Sequence, residues 1–301
     1  MPITLQPAQK ILKPLKILSY GPTYSGKTLS SLYLANGMIQ TIRNCTEEEA
    51  YKHIVLIDTE FGRGALYNKI GLYNYLKIEP PYFTEKLNAL IQELDTMPEV
   101  DVIIVDSLTH FWVKEGGILD QKAAKDKEGG NSYTNWLDFT AKFNKMLDVI
   151  LNSSKHILTT ARAKSDTALV TNDKGKQSPR SYGLKPELRD NVEYDFDIVF
   201  NIDKMSHTLI VDKGVPGLDP IYDIATPELG RQIYELFIAD AVLPTRTVTD
   251  VVDKIRNLAK TQNLIQFIQL QLSGRKLQDI PLEDLLKIET ALLEEIKSKQ
   301  K

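Results

Sequence analysis

The sequence predicts an α/β fold, with a mostly parallel central sheet covered by helices and a small helical module at the C-terminal end. Three observations lead there. Short, strand-sized apolar runs recur at Ile17-Leu18, Ile54 to Ile57, Val102 to Val105 and Ile157-Leu158. Segments of helical spacing separate them, which is the alternation of a sheet built from crossover units. From Val248 onward only helical spacing remains.

The elements follow in order. After the first strand, Leu32, Ala35, Ile39 and Ile42 form one apolar stripe. Leu87, Leu90, Ile91 and Leu94 form another before the third strand, and Trp136, Phe139, Phe143, Met146, Leu147 and Ile150 a third before the fourth; each stripe suits burial against a sheet. Past residue 190, Phe196 to Ile202 and Thr208 to Asp212 flank the polar stretch Asp203 to Ser206, the pattern of an antiparallel hairpin at the sheet edge. Thr226-Pro227 opens a helix toward Ala241, with proline in the favoured first turn. Pro244 marks a break, so the expected domains are 1–243 and 244–301. In the second, Val251, Ile255 and Leu258, then Ile265, Ile268 and Leu272, then Leu285, Ile288, Leu292 and Ile296 imply two or three helices, with Gly274 as a stop and Pro281 as a start.

Composition narrows the function classes. Hydrophobic residues make up 42% of 301 and charged residues 26%, so a packed core is expected. The net charge of −3 means that nucleic acid, if bound, meets a local basic surface. A single cysteine, Cys45, excludes an intramolecular disulfide, and His53, His110, His156 and His207 lack zinc-ligand spacing. A reducing, cytoplasmic location is expected, with no membrane partner: Pro2, Pro7, Lys10, Lys13 and Pro14 interrupt the N-terminal segment before an apolar run forms.

The strongest chemical signal is Gly21-Pro22-Thr23-Tyr24-Ser25-Gly26-Lys27-Thr28, directly after a strand and before a helix. It matches G-x-x-x-x-G-K-[ST], in which glycines turn successive N–H groups onto phosphate oxygens, the lysine reaches the terminal phosphates and the hydroxyl ligates Mg2+. Leu29 completes the expected nucleotide-binding stretch. ATP with Mg2+ is the expected ligand pair. A carboxylate at the end of an apolar strand must complete the metal shell, and Asp106 after Val102-Ile103-Ile104-Val105 fits, with Ser107 beside it. Hydrolysis also needs a group that orients water. The strand Ile54 to Ile57 ends in Asp58-Thr59-Glu60, making Glu60 the candidate and Asp58 the next.

At these residues the sequence resembles the RecA-core ATPases. GPTYSGKT is similar to the GPxSSGKT of that family, IDTE at Ile57 to Glu60 to its strand ending in the catalytic glutamate, and VIIVDS at Val102 to Ser107 to its Walker B strand. The resemblance implies a RecA-like P-loop NTPase core over residues 14 to 215, with Glu60 as the water-orienting residue. It also implies Tyr67, seven positions after Glu60 and followed by Lys69-Ile70-Gly71, as an adenine platform. Where RecA carries a γ-phosphate-sensing glutamine, this chain reads Thr159-Thr160-Ala161-Arg162, so Thr160 and Arg162 are the sensor candidates. Lys213 is the nearest counterpart of lysines that cross the subunit interface. More narrowly, Tyr182 to Arg189 leading to Tyr194-Asp195-Phe196-Asp197, the size and the helical tail resemble phage-type nucleotide-binding proteins, minimal RecA-like single-strand annealing ATPases.

That resemblance implies an ATP-dependent, single-stranded-DNA-binding protein of recombination or annealing that forms a homo-oligomer, ring or filament. The alternatives are a ring-type helicase or translocase and a nucleotide-switch regulator with little turnover. Val113 to Ser132 and Ala163 to Arg189 read as polar, Gly-rich loops at the positions of the two RecA DNA loops. The second holds Lys174, Lys176 and Arg180, and from Arg162 to Asp190 seven basic residues face four acidic ones, which favours phosphate contact. Phe111, Trp112 and Tyr133 are read as packing residues before base-stacking ones. Pro2 to Gln9 is a candidate for strand addition onto a neighbouring subunit, and the tail for docking a single-strand-binding protein.

Overall fold

The computed structural model describes residues 12–129, 131–171, 177–239, 241, 248, 251–252, 255–256, 259, 264–272 and 275–299. The N-terminal segment expected to add to a neighbour, and Lys174 and Lys176, lie outside the described residues. The chain divides into two compact units, one of Lys13–Asp240 and one that runs from Ala241 to the C-terminal end.

In the larger unit, apolar strands alternate with helices as the sequence requires. The strands are β1 (Lys16–Gly21), β2 (Ile54–Asp58), β3 (Asn74–Lys77), β4 (Val102–Asp106), β5 (His156–Thr171), β6 (Gln177–Pro186), β7 (Ile198–Ile202), β8 (Leu209–Lys213) and β9 (Ile221–Tyr222). Among the described residues, the α-helices that accompany them are α1 (Lys27–Arg43), α2 (Glu47–Tyr51), α3 (Thr84–Asp95), α4 (Thr109–Val113), α5 (Ile118–Glu128), α6 (Ser132–Asn152) and α7 (Pro227–Ile238). The sheet order is β3-β2-β4-β5-β1-β7-β8-β9, with β6 paired to β5 alone. Pairing is parallel from β3 to β7 and antiparallel at β8 and β9, so the expected edge hairpin is present. The strand of the phosphate loop, β1, therefore lies between β5 and β7, one strand removed from β4 and its terminal Asp106. This is an α/β fold with a mostly parallel sheet and the phosphate loop at the end of β1.

Strand period explains why both faces are covered. Ile54, Leu56, Val102 and Ile104 point to one face and pack with α1 and α7, whereas Val55, Ile57, Ile103 and Val105 point to the other and pack with α3 and α6. A parallel strand buried on both faces reads as a continuous apolar run, which is why these strands were legible. Helices α1 and α7 touch closely: an ideal Cβ on Gly37 would lie 1.8 Å from the Pro227 carbonyl oxygen, and one on Gly230 would lie 2.3 Å from that of Leu34.

Two expected loops are corrected. Val113 to Ser132 contains α5, whose KAAKDKE stretch is helical because an exposed helix needs no apolar periodicity. Ala163 to Arg189 is mostly a two-stranded antiparallel ribbon, from Ala163 paired with Pro186 to Thr171 paired with Gln177. Backbone hydrogen bonds satisfy such a ribbon, so its polar composition misled the loop reading.

The smaller unit is helical. Helices α8 (Ile265–Leu272) and α9 (Leu282–Lys299) contribute Ile268, Leu285, Ile288 and Leu292 to a core shared with Val251, Val252, Ile255 and Leu264. No helix among the described residues is long and apolar enough to cross a membrane.

Candidate active site

The site is built where β1, β2 and β4 end and where β5 passes them at Thr160 and Arg162. From β1 the chain turns through Gly21 to Gly26 into α1, and Gly26 takes φ 91°, a left-handed conformation that glycine adopts without steric cost. Among the described residues no side chain caps α1 and its first turn holds no acidic residue, so its leading amides face outward unmatched, as an anion site requires. A cavity of about 220 Å3 opens there, lined by Thr23, Tyr24, Gly26, Lys27, Thr28, Glu60, Arg63, Leu66, Tyr67, Asp106 and Arg162. Gly21, Pro22, Ser25 and Leu29 are outside that lining. The Lys27 ammonium is held by the Gly21 and Pro22 carbonyls at 2.9 and 2.7 Å. Burial pulls its pKa down from the usual lysine range, opposed by Asp106 and Glu60.

Asp106 is gripped by two hydroxyls: Thr28 Oγ1 donates to Oδ2 and Thr160 Oγ1 to Oδ1, each at 2.5 Å. Burial pushes the Asp106 carboxyl up, and both hydroxyls oppose the rise. A hydroxyl and a carboxylate oxygen in contact beside the loop form a hard donor set that fits Mg2+. Thr160, expected as a sensor, thus stands behind Asp106, while Arg162 lines the cavity itself.

Glu60 is positioned from two sides. Asp58, buried, accepts from the Glu60 amide at 2.5 Å, the Gly64 amide at 3.0 Å and the Tyr75 hydroxyl at 2.8 Å. Its oxygens are occupied in shaping the turn, which removes it as the alternative to Glu60. Thr59 ties the β2 end to the β4 end: its Oγ1 donates to the Ser107 carbonyl at 3.1 Å and accepts the Ser107 amide at 2.8 Å. From β5, Arg162 donates to both Glu60 oxygens, and Ser107 Oγ donates to Oε1 at 3.3 Å. Burial pushes the Glu60 carboxyl up, but the hydrogen bonds and charge of Arg162, with the Ser107 hydroxyl, oppose it, and the net direction is down.

Tyr67 is half-buried in the 3-10 turn Arg63–Tyr67 and forms part of the cavity wall. Lys213 lies away from this cavity; its ammonium donates to the Tyr194 and Phe196 carbonyls at 2.5 Å each, so it is engaged within its own subunit. Sequence reasoning missed Arg63 and Leu66, which lie in the interval between Glu60 and Tyr67. It also missed His207, whose Nδ1 donates to the Ser25 carbonyl at 3.0 Å from the β7–β8 turn. No motif marks that histidine; only the hairpin placement brings it under the loop.

Of the residues proposed for DNA, the Arg180 backbone pairs with Ala168 in the ribbon. Phe111 and Trp112 are buried as expected, whereas Tyr133 is 75% exposed. Trp112 stacks on Trp136 with centroids 6.0 Å apart, and these two line a shallow groove with Tyr133, Leu137, Lys164 and Arg189.

Fold and site together define a P-loop ATPase. The chain belongs to the AAA domain family, which matches residues 13–256. A solved structure similar to it is a KaiC-like protein from the hyperthermophilic archaeon Pyrococcus horikoshii OT3, at 14% identity over 72% of this chain and 88% of that chain, with a TM-score of 0.42. No curated protein matches.

Proposed function

We propose that this P-loop ATPase is a Mg2+-dependent enzyme that couples ATP hydrolysis to single-stranded DNA, in recombination or annealing of the phage type, as a homo-oligomer. The observation that carries this reading is the continuity of β5. One strand of 16 residues runs from the sheet core past Thr160 and Arg162 at the site, then past Lys164 into the ribbon. A polymer held on the ribbon or in the adjoining groove would act on the same strand that holds Glu60. Exposed Tyr133 offers a base-stacking face beside Lys164 and Arg189, the combination that binds single strands without reading sequence.

In the reaction, Lys27 and the α1 amides hold the phosphates and Glu60 orients and deprotonates water. Thr28 and Asp106 would hold Mg2+, which would help neutralise the phosphate charge. Tyr67, Leu66 and Tyr24 wall the cavity and suit the nucleobase end.

The test is ATP turnover alone, with single-stranded DNA and with duplex, alongside an annealing assay. Stimulation by single strands together with ATP-dependent annealing is expected. ATP-driven unwinding would favour a ring motor, tight nucleotide binding with negligible turnover a switch regulator, and turnover indifferent to DNA would overturn the DNA reading.

A further inference from the structure

We propose that His110 is a positioning residue that, as a neutral imidazole protonated on Nδ1, holds the Arg162 guanidinium on Glu60 and governs how readily Arg162 turns into the nucleotide cavity. His110 sits on α4, four residues past Asp106, with no exposed surface. Its Nδ1 lies 2.8 Å from the Thr59 carbonyl oxygen, which can only accept, so Nδ1 carries the proton. Nε2 is then a lone pair, 3.0 Å from Arg162 Nη2, which can only donate. The same Nη2 serves both Glu60 oxygens, at 3.0 and 2.7 Å. Glu60 Oε1 lies 3.4 Å from Nε2, a pair of acceptors that tolerate each other because the guanidinium bridges them. The rings of Tyr82 and Phe61, with centroids 5.1 and 5.9 Å away, bracket the imidazole, and the Tyr82 hydroxyl donates to the same Thr59 carbonyl at 3.1 Å. Burial pushes the His110 pKa down, in keeping with a neutral ring.

Arg162 occupies lone pairs on both Glu60 oxygens and lowers the basicity of the carboxylate, so Glu60 takes a proton from water less readily while the pair is intact. Arg162 lines the cavity and its side chain is 28% exposed, so a terminal phosphate there competes with Glu60 for the guanidinium. Nε2 adds a second anchor on the Glu60 side. Without it, transfer of Arg162 toward the phosphate is easier and Glu60 is free for more of each cycle.

This inference rests on Glu60 acting as the base, and its test uses basal turnover without DNA, so it stands apart from the DNA reading. His110→Phe fills the ring space but has no acceptor; kcat should rise about three- to tenfold with KM for ATP unchanged. His110→Gln restores an acceptor near the Nε2 position and should return kcat to wild type. An unchanged or lowered kcat in His110→Phe, or the same change in both variants, overturns the proposal. A second measurement needs no altered core: 15N shifts of the four histidines in the wild-type protein, with the His110 signal assigned by its loss in His110→Gln, should show a protonated Nδ1 and a bare Nε2. The opposite tautomer, or a charged ring at neutral pH, overturns it equally.

Discussion

Arg162 meets Glu60 in a two-sided grip, Nε and Nη2 reaching Oε1 at 3.1 and 3.0 Å and Nη2 reaching Oε2 at 2.7 Å, across 102 positions of sequence. A forked guanidinium on a carboxylate is among the stronger charge-assisted contacts. It places the water-orienting candidate and the residue nearest the ribbon in one unit.

Lys27→Ala removes the charged side chain that the phosphate loop turns inward. Losing a hydrogen bond to a charged group costs about 1.5–3 kcal/mol, or roughly 10- to 100-fold in nucleotide affinity. Titration with a fluorescent ATP analogue checks this, and wild-type affinity in the variant would refute the assigned role.

Thr160→Val strips Asp106 of one of its two hydroxyl donors and leaves Thr28 to hold the other oxygen. The ionised form of a buried carboxylate loses support, so its pKa should rise further and the Mg2+ concentration for half-maximal turnover should rise with it. A Mg2+ titration of ATPase rate reads this directly; superimposable curves would show that Thr160 does not support the metal site.

Gly37→Ala and Gly230→Ala should each destabilise the protein by roughly 1–3 kcal/mol, because α1 and α7 cannot separate without loosening the core between them. At an ordinary helix position the same change stabilises by about 0.5–1 kcal/mol, so the sign discriminates. Denaturant unfolding of both variants provides the measurement.

His156 gives the pH dependence a definite direction. Its Nδ1 accepts the Leu15 amide at 2.8 Å, and burial, with a smaller contribution from Lys16, holds its pKa down at about 4. Between that value and the unfolded value near 6.5 the unfolded chain binds the extra proton. Stability from this group is therefore complete above about pH 6.5 and is lost as pH falls toward 4, by at most about 3 kcal/mol and less where water reaches the ring. The thermal midpoint of His156→Gln should fall less steeply over that interval than wild type; parallel curves would contradict the assignment.

The phosphate loop and the strand-end carboxylates were legible because phosphate chemistry demands fixed residue types at contiguous positions. Strands β2 and β4 were legible because burial on both faces leaves no room for polar residues. The contact of Arg162 with Glu60 and His110 was not, since no periodicity links residues 52 and 102 positions apart. The ribbon was misread for a different reason: Lys164, Ser165 and Asp166 pair through backbone and bury no apolar face, so its sequence carries no strand signal. Edge strand β3 went unseen because Asn74 and Lys77 are exposed and only Tyr75 and Leu76 turn partly inward.

The most direct test of the account is hydrolysis by Glu60→Gln under saturating ATP and Mg2+, with nucleotide binding measured on the same sample. The amide keeps the size of the side chain but cannot take the proton from water. Binding should stay within a fewfold of wild type while kcat falls by roughly 10²–10⁴. A wild-type kcat with intact binding would contradict the assignment of Glu60 and, with it, the mechanism built around Arg162.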